Sequence, residues 1–304
     1  MYKPKYLCDL HSHTKLSDGH DTPQEFIDRA AGFNMKVIAI TDHDVIPPET
    51  ITVDNEEVDI VEYAKNKGVR LFRGTEISCD TNIEDVHIVA FGCDWKDQRI
   101  IDLAQDVVKS KVEAYRELVD ILNKSGMDLS WDEILYNKGN EIPEEEIQKK
   151  IIFQYIADKG YTETWAEAKM LTQSDPKYNV LRRKPDPHET IQLIHDIGGV
   201  AILAHPFLIN PKDTSLDNYI EALIETGLDG IEACYTYDKT SYKGNKTNLE
   251  LENEIIKKYG NRNLFISGGS DYHGDWRVGV KNPREIGEAG ITYEAFKDSI
   301  LYEI

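Results

Sequence analysis

Residues 5–19 read Lys5-Tyr6-Leu7-Cys8-Asp9-Leu10-His11-Ser12-His13-Thr14-Lys15-Leu16-Ser17-Asp18-Gly19. The first seven residues have the apolar character of a strand over 5–11, and the run ends in two histidines two positions apart. Side chains at i and i+2 of a strand share a face, so His11 and His13 would present two imidazoles to one point. Taken alone, a His-x-His pair is as readily a polar strand end as a metal site. The rest of the chain decides between the two.

Working outward, further Val- and Ile-rich runs lie at 36–42, 69–78, 86–92, 199–205, 230–235 and 264–271. Several are continuously apolar, as expected of strands buried on both faces of a parallel sheet. Helix signals alternate with them. The clearest is the capping box Thr22-Pro23-Gln24-Glu25, with proline at the first helical position; others span 56–67, 186–197, 215–226 and 246–259. Strand–helix alternation of this kind predicts a parallel α/β architecture, as a barrel or an open sheet. The rhythm breaks once, over 96–190, where no good strand is visible and helical periodicity covers 97–124, 144–159 and 162–172. That stretch is too long for a loop. The predicted organisation is a barrel in two parts, 1–95 and 191–304, around a helical insertion at 96–190.

Composition bounds the function. With 35 basic and 55 acidic residues the formal net charge is −20, which disfavours duplex nucleic acid and anionic membranes as partners. No run approaches the ~20 apolar residues of a membrane span, and the N-terminal sequence lacks the apolar core of a signal peptide. The four cysteines, Cys8, Cys79, Cys93 and Cys234, show no paired spacing and read as reduced packing residues. The expected compartment is the cytoplasm.

The strand ends carry the chemistry. His43 follows the second strand in "TDHD", Glu76 closes the third in "GTEIS", His205 the fifth in "LAHP", and Asp271 and His273 the last in "SGGSDYHG". In parallel α/β folds these carboxyl ends open onto one face. His87 instead begins the fourth strand, which fits only if that strand is antiparallel or its loop folds inward. Any one of these residues is readily a hydrogen-bonded core histidine or a helix N-cap. Together they place most of the chain's nine histidines in one pocket, which cations would have to satisfy. A mixed nitrogen and oxygen donor set suits Zn, Mn or Fe, and so many donors exceed what one ion takes.

The motifs "DLHSHTKLSDG", "TDHD", "GTEIS", "HIVAFG", "AHP" and "GGSDYHG" resemble, in order and across the chain outside the insertion, those of the PHP (polymerase and histidinol phosphatase) family of metal hydrolases. The resemblance implies a distorted (β/α)7 barrel and a trinuclear centre of three divalent ions. Its nine ligands would be His11, His13, Asp18, His43, Glu76, His87, His205, Asp271 and His273. It also points towards hydrolysis of a phosphate ester by a metal-bridging hydroxide; Asp18, His205 and Asp271 are the catalytic candidates to protonate the leaving group, because they would sit beside that hydroxide. The insertion resembles that of a subgroup containing 3′,5′-nucleotide bisphosphate phosphatases and RNA 5′-exonucleases, so the expected substrate is a small phosphorylated molecule, foremost a nucleotide. The subgroup's Arg-Pro-His run is absent: Lys149 stands in place of its Arg and Ile151 in place of its His.

Candidate phosphate contacts are Arg182 and Arg183 in the loop before the barrel resumes, with Lys15 and Arg277 beside the metal motifs. Tyr155, Tyr161, Trp165 and Tyr178 could stack a base, although helical spacing favours core packing for most of them. His20 would line the rim, and His188 and His195 read as surface or packing residues. Competing readings are hydrolysis of a carboxylic ester or amide, a histidinol-phosphate-type phosphatase, and a binding module that has lost its chemistry.

Overall fold

The structure, a computed structural model, describes residues 2–137 and 140–304. Seven strands form one sheet in sequence order: β1 (Cys8–Asp9), β2 (Val37–Ile40), β3 (Arg70–Cys79), β4 (Val86–Phe91), β5 (Val200–Leu203), β6 (Gly230–Cys234) and β7 (Phe265–Gly268). The sheet nearly closes on itself. Leu10 N–H donates to Gly268 O at 3.2 Å and Asp271 N–H to His11 O at 2.9 Å, with a parallel bridge between Ser12 and Tyr272. This is the expected distorted barrel, and all seven predicted strands are present within a few residues.

One expectation needs correcting. The sheet is not wholly parallel: β4 runs antiparallel to both β3 and β5, with Ser78 opposite His87 and Ile88 opposite Leu203. The short connection between β3 and β4 leaves no room for a crossover helix, so the chain turns back as a hairpin. The reversal brings the N-terminal end of β4, and His87 with it, to the mouth where its neighbours end.

Alternation along the strands divides the apolar residues. Val37, Ala39, Phe72, Phe91, Val200 and Ile202 pack inside the ring over Phe296 and Leu301. Ile38 and Ile40 face Phe26, Ile27 and Ile60 on the first two helices. Helix α1 (Pro23–Gly32) begins at the predicted capping box, with Thr22 Oγ1 accepting from Glu25 N–H and Glu25 accepting from Thr22 N–H. The predicted helix at 56–67 is shorter. Thr50–Val53 and Glu56–Asp59 form an antiparallel hairpin turning at Asp54-Asn55, both with positive φ, and α2 (Ile60–Asn66) starts only after the Asp59 cap. The strand-type alternation and the two-residue turn were signals that the helix reading passed over.

The chain divides into two compact units, residues 1–104 with 185–304, and residues 105–184. The boundaries differ from 96 and 190 for a packing reason. Helix α3 (Gln98–Lys124) begins with Ile100, Ile101 and Leu103 on the barrel core, and the helix Pro187–Asp196 places Ile191 and Ile194 in that same core. Within the second unit, Leu118, Leu122, Ile134, Ile152, Phe153, Ile156 and Tyr178 form a separate core. The short strands Tyr136–Asn137 and Asn140–Glu141 pair there, where only helices were expected, and the predicted helix at 144–159 resolves into a 3₁₀ turn at Glu144–Glu146 and a helix at Lys149–Asp158.

Barrel closure depends on Gly269, where a Cβ would lie 2.3 Å from His11 Cβ and 2.5 Å from His11 N. Gly269→Ala is expected to lower unfolding free energy by about 3 kcal/mol. Gly32→Ala, at an exposed helical position with nothing within 4 Å of its added methyl, is expected to raise it by about 0.5 kcal/mol. Urea denaturation of the two variants measures both signs.

Candidate metal centre

Glu76, buried on the inner face of β3, is the hub. Its Oε2 lies 3.2 Å from His11 Nε2, 3.2 Å from His13 Nε2 and 3.1 Å from His43 Nδ1. Its Oε1 lies 2.9 Å from both His87 Nδ1 and His205 Nε2. Asp271 Oδ1 extends the cluster, 3.0 Å from His13 Nε2 and 3.5 Å from His273 Nδ1. Asp18 completes it at 3.2 Å from His273 Nε2. All nine residues that the motif resemblance singles out thus meet in one continuous cluster at the barrel mouth.

Local structure explains how the chain delivers them. Buried Asp42 accepts from Thr14 N–H and Thr14 Oγ1, both at 2.7 Å, and from Ser17 Oγ at 2.6 Å, so the loop after His13 folds back onto the mouth. Gly19 makes that fold possible, because a Cβ there would sit 2.5 Å from His13 O. "SDG" looks like an ordinary turn in the sequence, and this close approach is what carries Asp18 inward. Asp9 ties β1 to β7, accepting from Ser270 N–H at 2.9 Å, Ser270 Oγ at 2.5 Å and Gly287 N–H at 2.8 Å. Burial still raises its carboxyl to about 6. His205 (φ 28°), Asp271 (φ 53°) and Asp44 (φ 56°) occupy left-handed backbone conformations just past strand ends. Such strain in non-glycine residues clusters at functional sites.

The electrostatics are those of a cation-binding pocket. Burial alone would push His13 down, yet Asp271 and Glu76 raise it to about 10. His11 is likewise held well above its ordinary value, burial being outweighed by Glu76, Glu232 and Asp271. Burial lowers His43 to about 4, aided by the neighbouring His13 and His87. Glu76 and Asp271 stay well below the usual carboxylate range despite burial, Glu76 through His11, His43 and His87, and Asp271 through Arg284 and the histidines. Without a metal ion, protons on imidazoles and the Arg284 guanidinium offset these carboxylates.

The hydrogen-bond inventory fits metal ions. His11 Nε2, both ring nitrogens of His13, His43 Nδ1, His205 Nδ1 and Glu76 Oε2 are buried without a hydrogen-bond partner. Buried polar atoms rarely go unpaired unless something else satisfies them. Three groups each bring ligand atoms within 4.8 Å of one another: His13, Asp18, His43 and His273; His11, His13 and Glu76; His43, Glu76 and His87. These residues are suited to divalent metal ions.

The remaining predicted residues have other partners. Arg277 is bound to Asp21 and, at 3.0 Å, to Glu25, and its guanidinium covers the Trp276 ring. Lys15 Nζ is 4.0 Å from Glu25 and exposed. In the insertion unit, Arg183 pairs with Glu113 at 2.6 Å, Tyr178 is buried in the core, and Lys150 lies over the half-exposed Trp165. Arg182 lies in the same loop, and its Nε is buried. The backbone N–H of His20 donates to His273 O at 2.7 Å. His188 and His195 bond Thr226 and Asp229, away from the cluster.

Three residues beside the cluster escaped sequence reasoning. Glu232 accepts from His11 Nδ1 at 3.2 Å and from His205 N–H at 2.8 Å; Tyr235 and Arg284 bind Asp271 Oδ2. A lone glutamate inside the apolar run "GIEACY" was the available signal for Glu232, since a buried charge requires a partner. Arg284 has no local signal.

A barrel whose mouth gathers imidazoles and carboxylates in this way defines a metal-dependent hydrolase. The PHP domain family model matches residues 9–197, and the chain belongs to that family. The match ends before His205, Asp271 and His273. A "5′-3′ exoribonuclease" of Haemophilus influenzae is 28% identical over 226 residues, 74% of this chain and 77% of the relative. A "3′,5′-nucleoside bisphosphate phosphatase" of Chromobacterium violaceum is 25% identical over 267 residues, 87% of this chain and 86% of the relative. Among solved structures, a protein of Bifidobacterium adolescentis described as a metal-dependent phosphoesterase superposes with a TM-score of 0.71 at 25% identity, covering 98% of this chain and 96% of its own.

The backbone strain at His205 can be isolated. His205→Ala and His205→Gly remove the same imidazole, but glycine tolerates the positive φ. His205→Gly is expected to be the more stable by about 1 kcal/mol in metal-free denaturant unfolding. Equal stability would mean that the left-handed conformation costs nothing at this position.

Proposed function

We propose that this PHP-domain protein is a metal-dependent phosphoesterase that hydrolyses a nucleotide phosphate, with three divalent ions of the Mn, Fe or Zn type. His11, His13, Asp18, His43, Glu76, His87, His205, Asp271 and His273 would hold them. The observation that carries the reading is the set of buried imidazole nitrogens around Glu76 that lack hydrogen-bond partners. When bound, divalent ions supply a water of lowered pKa and a positive seat for phosphoryl oxygens.

The chain's own residues divide the remaining work. Asp18 has the most exposed side chain of the nine, at 45%, and would meet the entering ester. His205 and Asp271 lie deeper. Asp271 keeps Oδ1 towards the histidines while Tyr235 and Arg284 occupy Oδ2, which suits it to holding position rather than moving a proton. Arg277, committed to Asp21 and Glu25, would fasten the rim more than bind substrate. Lys15 remains a candidate phosphate contact. Arg182 and Arg183 remain the candidate clamp for a second phosphate: the Arg183–Glu113 pair is solvent-exposed, and such pairs are weak enough to exchange partners. A nucleotide phosphate is common to the substrates in the names of the bisphosphatase and exoribonuclease relatives.

The test is phosphate or nucleotide release with Mn(II), and then with excess chelator, from 3′,5′-bisphosphates, 5′-phosphorylated RNA, nucleoside monophosphates and histidinol phosphate. Release from a nucleotide class that disappears with chelator is the expected outcome. Turnover confined to carboxylic esters or amides would overturn the reading. Replacing Arg182 and Arg183 together with alanine is expected to raise KM for bisphosphates about tenfold, on the scale of a lost charge-assisted contact, with a smaller change for monophosphates. Equal shifts for both would remove the clamp.

A further inference from the structure

Six of the seven barrel strands lead into a residue of the nine-member cluster: β1 into His11 and His13, β2 into His43, β3 carrying Glu76, β4 carrying His87, β5 into His205, and β7 into Asp271 and His273. Strand β6 contributes none. It nevertheless brings two buried polar side chains to the site: Glu232 is 3% exposed, and Tyr235, one residue past the strand, is 2% exposed. Both reach members of the cluster.

We propose that β6 is the orienting strand of the metal centre, with Glu232 and Tyr235 as positioning residues that aim His11, His205 and Asp271 at the ions. This rests on the metal-dependent reading above. The geometry is specific. A carboxylate can only accept, so Glu232 at 3.2 Å from His11 Nδ1 keeps a ring proton on Nδ1 and makes Nε2, on the side of Glu76 and Asp271, the nitrogen that would coordinate an ion. Glu232 Oε2 also accepts the His205 backbone N–H at 2.8 Å, and His205 is the residue with φ 28°. One side chain therefore fixes the tautomer of one ligand and the strained backbone of another. Tyr235 OH donates to Asp271 Oδ2 at 2.6 Å, and Arg284 holds the same oxygen from its other side. Asp271 is left with one oxygen, Oδ1, facing His13, His11 and His273. Outer hydrogen bonds of this kind set ligand orientation and basicity.

The test uses the full chain, stripped of metal and titrated with Mn(II) and Zn(II) against a chromophoric chelator. Metal content is measured in parallel by elemental analysis. Glu232→Gln preserves shape and removes the charge. Tyr235→Phe removes a single hydroxyl and should leave the fold intact even if the first variant proves unstable. Tyr237→Phe is the control, because the hydroxyl of this equally buried tyrosine accepts from Phe207 N–H and, among the described residues, bonds no member of the cluster. Glu232→Gln and Tyr235→Phe should each weaken metal binding 10- to 100-fold and shrink the rise in Tm that metal produces. The control should match wild type in both readouts. A merely structural role would lower the Tm of the metal-free and metal-loaded forms equally and leave affinity unchanged. Metal affinities of both variants within twofold of wild type would overturn the inference. If wild type itself bound no metal, the metal-dependent reading would fall first, so the two failures are distinguishable.

Discussion

The constraint on which the structure depends is the convergence of buried charge on Glu76. A carboxylate that is 1% exposed meets five imidazoles, and Asp271 repeats the situation one layer out. Taking such groups out of water costs several kcal/mol each unless they are paired. In the metal-free chain imidazolium protons, with the Arg284 guanidinium beside Asp271, offset this cost, and His11 and His13 are held above their ordinary values. Divalent ions would replace those protons and satisfy the ring nitrogens that lack hydrogen bonds. Metal binding would then release protons.

The barrel serves that constraint through a few backbone devices. Reversal of β4 turns a strand start into a mouth position for His87. Gly269 lets β7 approach β1 closely enough for Asp271 N–H to reach His11 O, and Gly19 lets the loop carrying Asp18 lie on the backbone of His13. Asp9 and Asp42, buried carboxylates outside the nine-member cluster, bind mainly backbone amides and hydroxyls, so they fix loops rather than compete for ions. The left-handed conformations of His205, Asp271 and Asp44 lie beside these devices at the mouth.

How much of this the sequence discloses follows from the range of the interactions involved. The His-x-His pair, the polar strand ends and the continuous apolar runs are local patterns, and they suffice for seven strands and for the mouth as a site. Motif resemblance extends the reading to Asp18, which local pattern alone assigns to a turn. The direction of β4 was legible only as a condition on His87, because strand orientation is set by the length of a connection and not by strand composition. The hairpin at Thr50–Asp59 was missed when its alternation was absorbed into a helix reading. Glu232 was legible as a buried charge in need of a partner, but the partners of Glu232, Tyr235 and Arg284 were out of reach. Their partners lie at His11, His205 and Asp271, and no spacing rule links positions so far apart in the chain.

Net charge and site charge finally point in opposite directions, and the rim shows how they are reconciled. The simplest way for an acidic chain to bind a phosphate is to ring its site with free cations. Here Arg277 is spent on Asp21 and Glu25, Lys15 faces Glu25, and Arg284 is shared between Asp271 and Asp275. Each of these barrel cations is answered by at least one carboxylate, so the rim offers an incoming anion little net attraction. The positive field must come from inside the mouth, where metal ions would concentrate it within a few ångströms of the reacting phosphorus and where bulk salt screens it least. On this arrangement the metal ions would supply most of the attraction at the mouth, and cations outside the barrel rim would add to it only where a second phosphate reaches them.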